Sequence, residues 1–227
     1  MPALISWWTH DIAGLSPDAD PLAVAATGAD LLGRWTEAHR RYHSTRHLVE
    51  LFRSLEELEE AAEIGAVEAT TGRIAAWLHD AVSDPHARPG GNEASSAELA
   101  ATVLARVDAP ADVVATVQAV IRMTDGHGSD DGQSLTRAFH DDGQSLTRAF
   151  HDGDLWILAA PERRFDEYCA QVREEYAHVP DVIYRAARST ILADFVRRDR
   201  LYLTAYGQQQ WEDPARANLS RELHRLA

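Results

Sequence analysis

The dipeptide His-Asp occurs four times in 227 residues, as His10-Asp11, His79-Asp80, His140-Asp141 and His151-Asp152. Neighbouring imidazole and carboxylate groups can both ligate one divalent metal ion when further donors converge from separate elements. Rigid delivery separates the four pairs. His79-Asp80 ends the apolar run Ala75-Ala76-Trp77-Leu78, and Pro85 breaks the chain soon after. His10-Asp11 has no apolar helix leading into it. His140-Asp141 runs into the turn-like Asp142-Gly143-Gln144, whereas His151-Asp152 runs into Gly153-Asp154-Leu155, which opens an apolar segment. His47 adds an imidazole at the head of a stretch with Leu48, Leu51, Phe52, Leu55 and Leu58 at helical spacing. The candidate donors are His47, His79, Asp80 and Asp154, each beside an apolar segment that would give a preorganised site its rigid support.

The elements that must position these donors read as helices throughout. Leu4–Leu15 carries Trp7, Trp8 and Ile12, and Pro17 and Pro21 follow it. Amphipathic spacing continues over 21–38 and from His47, where Glu56, Glu57, Glu59, Glu60 and Glu63 form a solvated face. Thr71–Asp80 is apolar on most faces and reads as a central, buried helix. Asn92 is a candidate N-cap for the next helix, which runs to about Val107, and another spans Pro110 or Ala111 to Met123. Asp154 is expected to open a buried helix ending near Pro161. Glu162–His178, Asp181–Leu201 and Glu212–Leu226 complete the set. No stretch alternates with period two. The expectation is an all-α fold of about nine or ten helices, one domain over residues 1–227.

Composition excludes several function classes. The formal charge is −14, and all 22 basic residues are arginine. Without lysine there is no amine nucleophile or Schiff base. The acidic balance repels nucleic-acid backbones, so nonspecific nucleic-acid binding is not expected, although a bound metal would make one pocket locally positive for a small phosphate. The single cysteine, Cys169, permits neither an internal disulfide framework nor a thiolate cluster. No apolar run reaches the roughly 18 residues of a membrane span. The N-terminus lacks a signal-peptide pattern, so the expected location is cytoplasmic.

Residues 131–141 read DGQSLTRAFHD, and 142–152 repeat them letter for letter. Eleven helical residues are close to three turns, adding roughly 16 Å of helix with about 20° of phase error. The extra copy extends a helix, is extruded as a loop, or allows segment exchange in a homo-oligomer. Gly132 and Gly143 count against one continuous helix. Asp141 rivals Asp154 as a donor only where the first copy takes the ancestral place.

Four motifs carry a resemblance to a known family: YHSTRHL at Tyr42–Leu48, AAWLHDAVSDP at Ala75–Pro85, NEASSA at Asn92–Ala97 and FHDGDLWIL at Phe150–Leu158. VREEY at Val172–Tyr176 and ARANLSREL at Ala215–Leu223 extend it to nearly the whole chain. The chain resembles the HD-domain superfamily, in particular its predicted metal-dependent phosphohydrolases from a largely uncharacterised bacterial group. The resemblance implies His47, His79, Asp80 and Asp154 as ligands of one divalent ion, with Mn, Fe, Ni, Co, Zn and Mg all compatible. Tyr42-His43 ahead of His47 is also similar to a pattern in cyclic-nucleotide phosphodiesterases, which implies His43 as general acid. Many superfamily members have His or Glu where this chain has Ser83, so Asp84 is left as a contact for a second metal, a water holder or a turn cap.

Further candidates sit beside this set. Glu93 opens a helix near the His-Asp loop, as a base or as a favourable charge at a helix N-terminus. His127, in a glycine-flanked loop, is a candidate contact for substrate phosphate or a second metal, against the plain reading of an exposed loop histidine. Asp152 is a candidate support for Asp154. Arg46 and Arg122 offer bidentate donors to phosphate, against the commoner solvated arginine; Arg173 reads more simply as a structural ion pair. The expected function is hydrolysis of a phosphate ester or anhydride of a small molecule, such as a nucleotide, by a metal-activated water with a histidine acid. Alternatives are a di-iron oxygenase on the same fold and a non-catalytic, metal-stabilised binding module or scaffold. Deleting one eleven-residue copy tests the repeat: a copy that merely lengthens or bulges leaves metal content, activity and oligomeric state unchanged, and one that exchanges between subunits alters the last.

Overall fold

The computed structural model describes residues 2–125 and 141–227. These are helical with no strand among them, and they form twelve helices. In chain order these are α1 (Pro2–Leu15), α2 (Pro21–Trp35), α3 (Thr45–Glu60), α4 (Ala66–His79), α5 (Gly91–Ala105), α6 (Ala111–Met123), α7 (Asp141–Asp154), α8 (Trp156–Ala159), α9 (Glu162–Glu175), α10 (Asp181–Arg197), α11 (Ala205–Gln210) and α12 (Glu212–Leu226). None of them is long and apolar enough to cross a membrane. Two helices exceed the expected number. One is α7, built largely from the second copy of the repeat. It tolerates Gly143 and Gly153 because Leu146, Ala149 and Phe150 bury one face of it. The other is the six-residue α11, whose start is fixed by the Thr204 hydroxyl accepting the Gly207 amide at 3.0 Å.

The described residues divide into two compact units, with boundaries at Phe52/Arg53 and Ile64/Gly65. The first holds α1, α2, the opening turns of α3, and α4 to α6. Its centre is α4, where Ile74, Ala75, Ala76, Trp77, Leu78 and His79 are all buried, and which packs on α1, α5 and α6. Trp77 meets the edge of Trp8 at 6.0 Å and Phe52 at 6.1 Å between ring centroids. The helix starts five residues earlier than its apolar run suggests. Glu68 accepts the Gly65 amide at 2.9 Å and closes the first turn, while Val67 there is exposed and adds nothing to the apolar pattern.

The start of α5 also differs from expectation. Its N-cap is Gly90, in the left-handed region at φ 73°, rather than Asn92. Asn92 is used otherwise: its side chain accepts the Asp84 amide at 3.0 Å and donates to the Asp84 carbonyl at 3.1 Å, holding the loop after α4.

The second unit holds the remainder of α3 and all helices from α7 onward. Its fully buried Asp152 ties α7 to the approach of α11, accepting the Leu203 amide at 2.7 Å, the Thr204 amide at 2.8 Å and the Thr204 hydroxyl at 2.6 Å. Gly207 passes so close that an added Cβ would lie 2.7 Å from the Asp152 carboxylate. Burial pushes the Asp152 carboxyl up to about 7, against the pull of these three donors. A folded-state value above the unfolded value means that the folded chain holds the proton more tightly. Stability from this group is therefore greatest at low pH and declines as pH rises from about 4 to about 7. The unfolding free-energy difference between wild type and Asp152→Asn, from urea titrations, is expected to shrink across that window. A difference that grows with pH contradicts this account.

Candidate metal centre

α4 ends at His79, and Asp80 leaves the helical conformation at φ −110°, ψ 19°. This break matters for the chemistry. Successive residues on a continuous helix point about 100° apart and do not face one another. Stepping out of the helix at Asp80 turns its carboxylate back, and Oδ2 lies 3.1 Å from His79 Nε2. His47, in the first turn of α3, brings its Nε2 to 3.2 Å from His79 Nε2 and 3.6 Å from Asp80 Oδ2. Three donors bound at roughly 2.0–2.2 Å to one ion, at octahedral to tetrahedral angles, stand roughly 2.8–3.6 Å apart. The trio fits that triangle, and His47, His79 and Asp80 could hold a metal ion.

The partners of the two rings support the fit. His79 Nδ1 lies 2.9 Å from the Ala76 carbonyl, which only accepts, so this nitrogen carries the hydrogen and the neutral ring turns its lone pair at Nε2 inward. His47 Nδ1 lies 3.1 Å from the Tyr42 hydroxyl, leaving its Nε2 to face the same point. Both imidazoles are buried, at 3% and 2% exposure. Two ring nitrogens and a carboxylate oxygen that converge away from water need a proton or a cation between them. Burial raises the Asp80 carboxyl, but the neighbouring His79, His43 and His47 more than reverse this and hold it well below the usual carboxylate range. The Asp80 side chain stays 21% exposed, giving the trio one side open to solvent.

The other expected residues are distributed as follows. His43 stacks edge-on against Tyr42 at 4.9 Å and lies 6.1 Å from the His47 ring, near enough to act on Asp80. Arg46 is exposed and pairs with Glu50 at 3.1 Å. Glu93 occupies the first turn of α5. Asp84 accepts the His86 amide at 2.9 Å and closes a turn ahead of α5. Asp154 belongs to the second unit and is the last residue of α7, not the first of a helix as expected: the second copy of the repeat is helical right up to it. His127 and the first copy's His140 lie outside the described residues. In the His10-Asp11 pair, His10 is exposed, while buried Asp11 takes a 2.8 Å ion pair from Arg73. His151 is buried, with Nε2 3.2 Å from the Leu201 carbonyl. Arg122 is exposed in the last turn of α6, and Arg173 donates to the Tyr176 and Val179 carbonyls beside Asp181.

Two supports of the trio have no clear sequence signal. Trp35 stacks at 6.2 Å from His47 and 5.7 Å from His79, and its indole N–H donates to the Trp77 carbonyl at 2.9 Å. In the sequence it is only the last apolar residue of α2. The Tyr42 hydroxyl stands behind His47, and its place in the Tyr-His-x-x-x-His pattern was the available hint. A partner on the far nitrogen of a ligating imidazole typically carries 10–100-fold in metal affinity. Tyr42→Phe is expected to weaken binding by about that factor in a competition titration against a chelator. Unchanged affinity would show that the hydroxyl does not orient the ring.

No family model matches the chain and no curated protein matches it.

Proposed function

We propose that the chain is a metal-dependent hydrolase acting on a phosphate ester or anhydride of a small molecule. The observation that carries this reading is the convergence of His47 Nε2, His79 Nε2 and Asp80 Oδ2 with one side open. Bound there, a divalent ion supplies Lewis acidity towards a phosphoryl oxygen and acidifies water at neutral pH. The chain's own residues do the remainder. The Ala76 carbonyl and the Tyr42 hydroxyl fix the two imidazoles, and Asp80 stays anionic. His43 is the proton donor to the leaving oxygen in this reading, held against Tyr42 with its ring 6.1 Å from that of His47. The resemblance to HD-domain phosphohydrolases supports the same assignment and implies Asp154 as fourth ligand.

The test is turnover of a panel of phosphomonoesters, phosphodiesters and nucleotides by the metal-loaded protein. His79→Ala and Asp80→Ala are expected to lose both metal and activity. His43→Ala should keep its metal and lose activity by about 10²–10⁴-fold, the usual share of a general acid. Asp154→Ala should lower metal content if it is the fourth ligand. A metal-loaded wild type inert against the whole panel overturns hydrolysis and leaves a metal-stabilised scaffold. A second reading, a di-iron oxygenase, starts from the two-histidine, one-carboxylate donor set and needs further ligands, for which Asp84 and His127 are the candidates. Two irons per chain with a visible absorption band would select a di-iron centre over hydrolysis.

A further inference from the structure

Arg40 is nearly lost from solvent, with its side chain 1% exposed. A buried guanidinium ordinarily faces a buried carboxylate. Its carboxylate partner here is Glu37, 3.1 Å from Nε but 41% exposed. The rest of the fork is spent on backbone. Nη1 donates to the His43 carbonyl at 2.9 Å and to the Asp80 carbonyl at 2.8 Å, and Nη2 donates to the Ala81 carbonyl at 3.2 Å. The flat face of the group lies 5.4 Å from the Trp35 ring, the same ring that stacks on His47 and His79.

These three carbonyls come from the two segments that deliver the donors. His43 lies in the turn that leads through Tyr42 and Ser44 into α3 and His47. Asp80 and Ala81 form the exit from α4. Carbonyls just past a helix C-terminus lack intrahelical partners and carry the negative end of the helix dipole, so a cation suits them. A planar, five-donor fork can hold carbonyls from both segments at once, which a point-like ammonium cannot. We propose that Arg40 is the positioning residue of the metal centre: it sets the His43–His47 segment against the His79–Asp80 turn by bridging their backbones, while Glu37 offsets its charge. This rests on the metal-binding reading of the trio.

The test is a titration of the purified full-length chain with Co(II), followed by its visible absorption band, which reports ligand geometry. The variants are Arg40→Met and Arg40→Lys. Leu104→Ala, buried in α5 of the same unit, is the control for a general loss of stability. The expected result is Co(II) binding about 10–100-fold weaker in Arg40→Met, with a shifted band. Arg40→Lys should be weakened less but still altered in its band, and it keeps the question open to measurement if Arg40→Met does not fold. Leu104→Ala should melt at lower temperature yet bind Co(II) with the wild-type affinity and band.

Several results overturn the proposal. Arg40→Met or Arg40→Lys binding as tightly as wild type with an unchanged band shows that the bridge does not shape the site. Tighter binding in Arg40→Met shows that the cation opposes the metal. Equal weakening in Leu104→Ala shows a stability effect alone. Wild type that binds no Co(II) refutes the metal reading and this proposal with it. Wild type that binds while both Arg40 variants match it refutes only the role of Arg40.

Discussion

Two imidazole nitrogens and a carboxylate oxygen point at one spot in the first unit, with both rings almost wholly removed from water. Without a proton or a cation between them such convergence is unfavourable, because each group loses hydration. Contacts on the far side of each ring hold it in place. The Ala76 carbonyl occupies the outer nitrogen of His79, and the Tyr42 hydroxyl occupies that of His47. Trp35 packs on both rings, and its indole is itself anchored to the Trp77 carbonyl. Removal of any one of these supports would give a ring somewhere else to turn.

The same arrangement explains why α4 is so thoroughly apolar. A helix buried on nearly all sides, between α1, α5 and α6, has little freedom to rotate about its axis. The position of His79 at its end is then fixed by packing from Ala69 onward. The cost of the polar terminus is offset locally. Arg40 takes the carbonyls beyond the last turn, and Ser96 exchanges hydrogen bonds with both the amide and the carbonyl of Val82. The loop after Val82 is held in turn by the reciprocal Asp84–Asn92 contacts.

Much of this was legible in the sequence, and the failures have physical causes. The all-helical character followed from periodicity, and His79-Asp80 stood out from the other His-Asp pairs because only an apolar run followed by a proline-ended loop delivers it. His47 was legible as an imidazole heading an apolar face. Helix ends read less well. Val67 is exposed and hid the first turns of α4, and Asn92 carries a capping residue's chemistry but spends it on Asp84. Asp154 closes a helix that its following apolar residues suggested it would open, because burial of Leu146, Ala149 and Phe150 outweighs two glycines in α7. Arg40 and Trp35 left no sequence signal, since their roles depend on backbone carbonyls and ring faces from segments far along the chain.

The backbone break at Asp80 has one more consequence. His79 and Asp80 are adjacent, so as a pair they form a chelate whose bite is set by the two torsions flanking one peptide bond and by the side-chain rotamers, with almost no chain to close. His47 lies 32 residues before His79, and drawing a flexible segment of that length into a ring costs on the order of 3–4 kcal/mol of chain entropy. In the folded protein that closure is already made, by Trp35 across to Trp77 and by Arg40 across to Asp80. An ion entering the triangle therefore meets donors whose ring closure has been completed by hydrogen bonds that never touch it, and its binding energy goes into donor bonds rather than into gathering the chain.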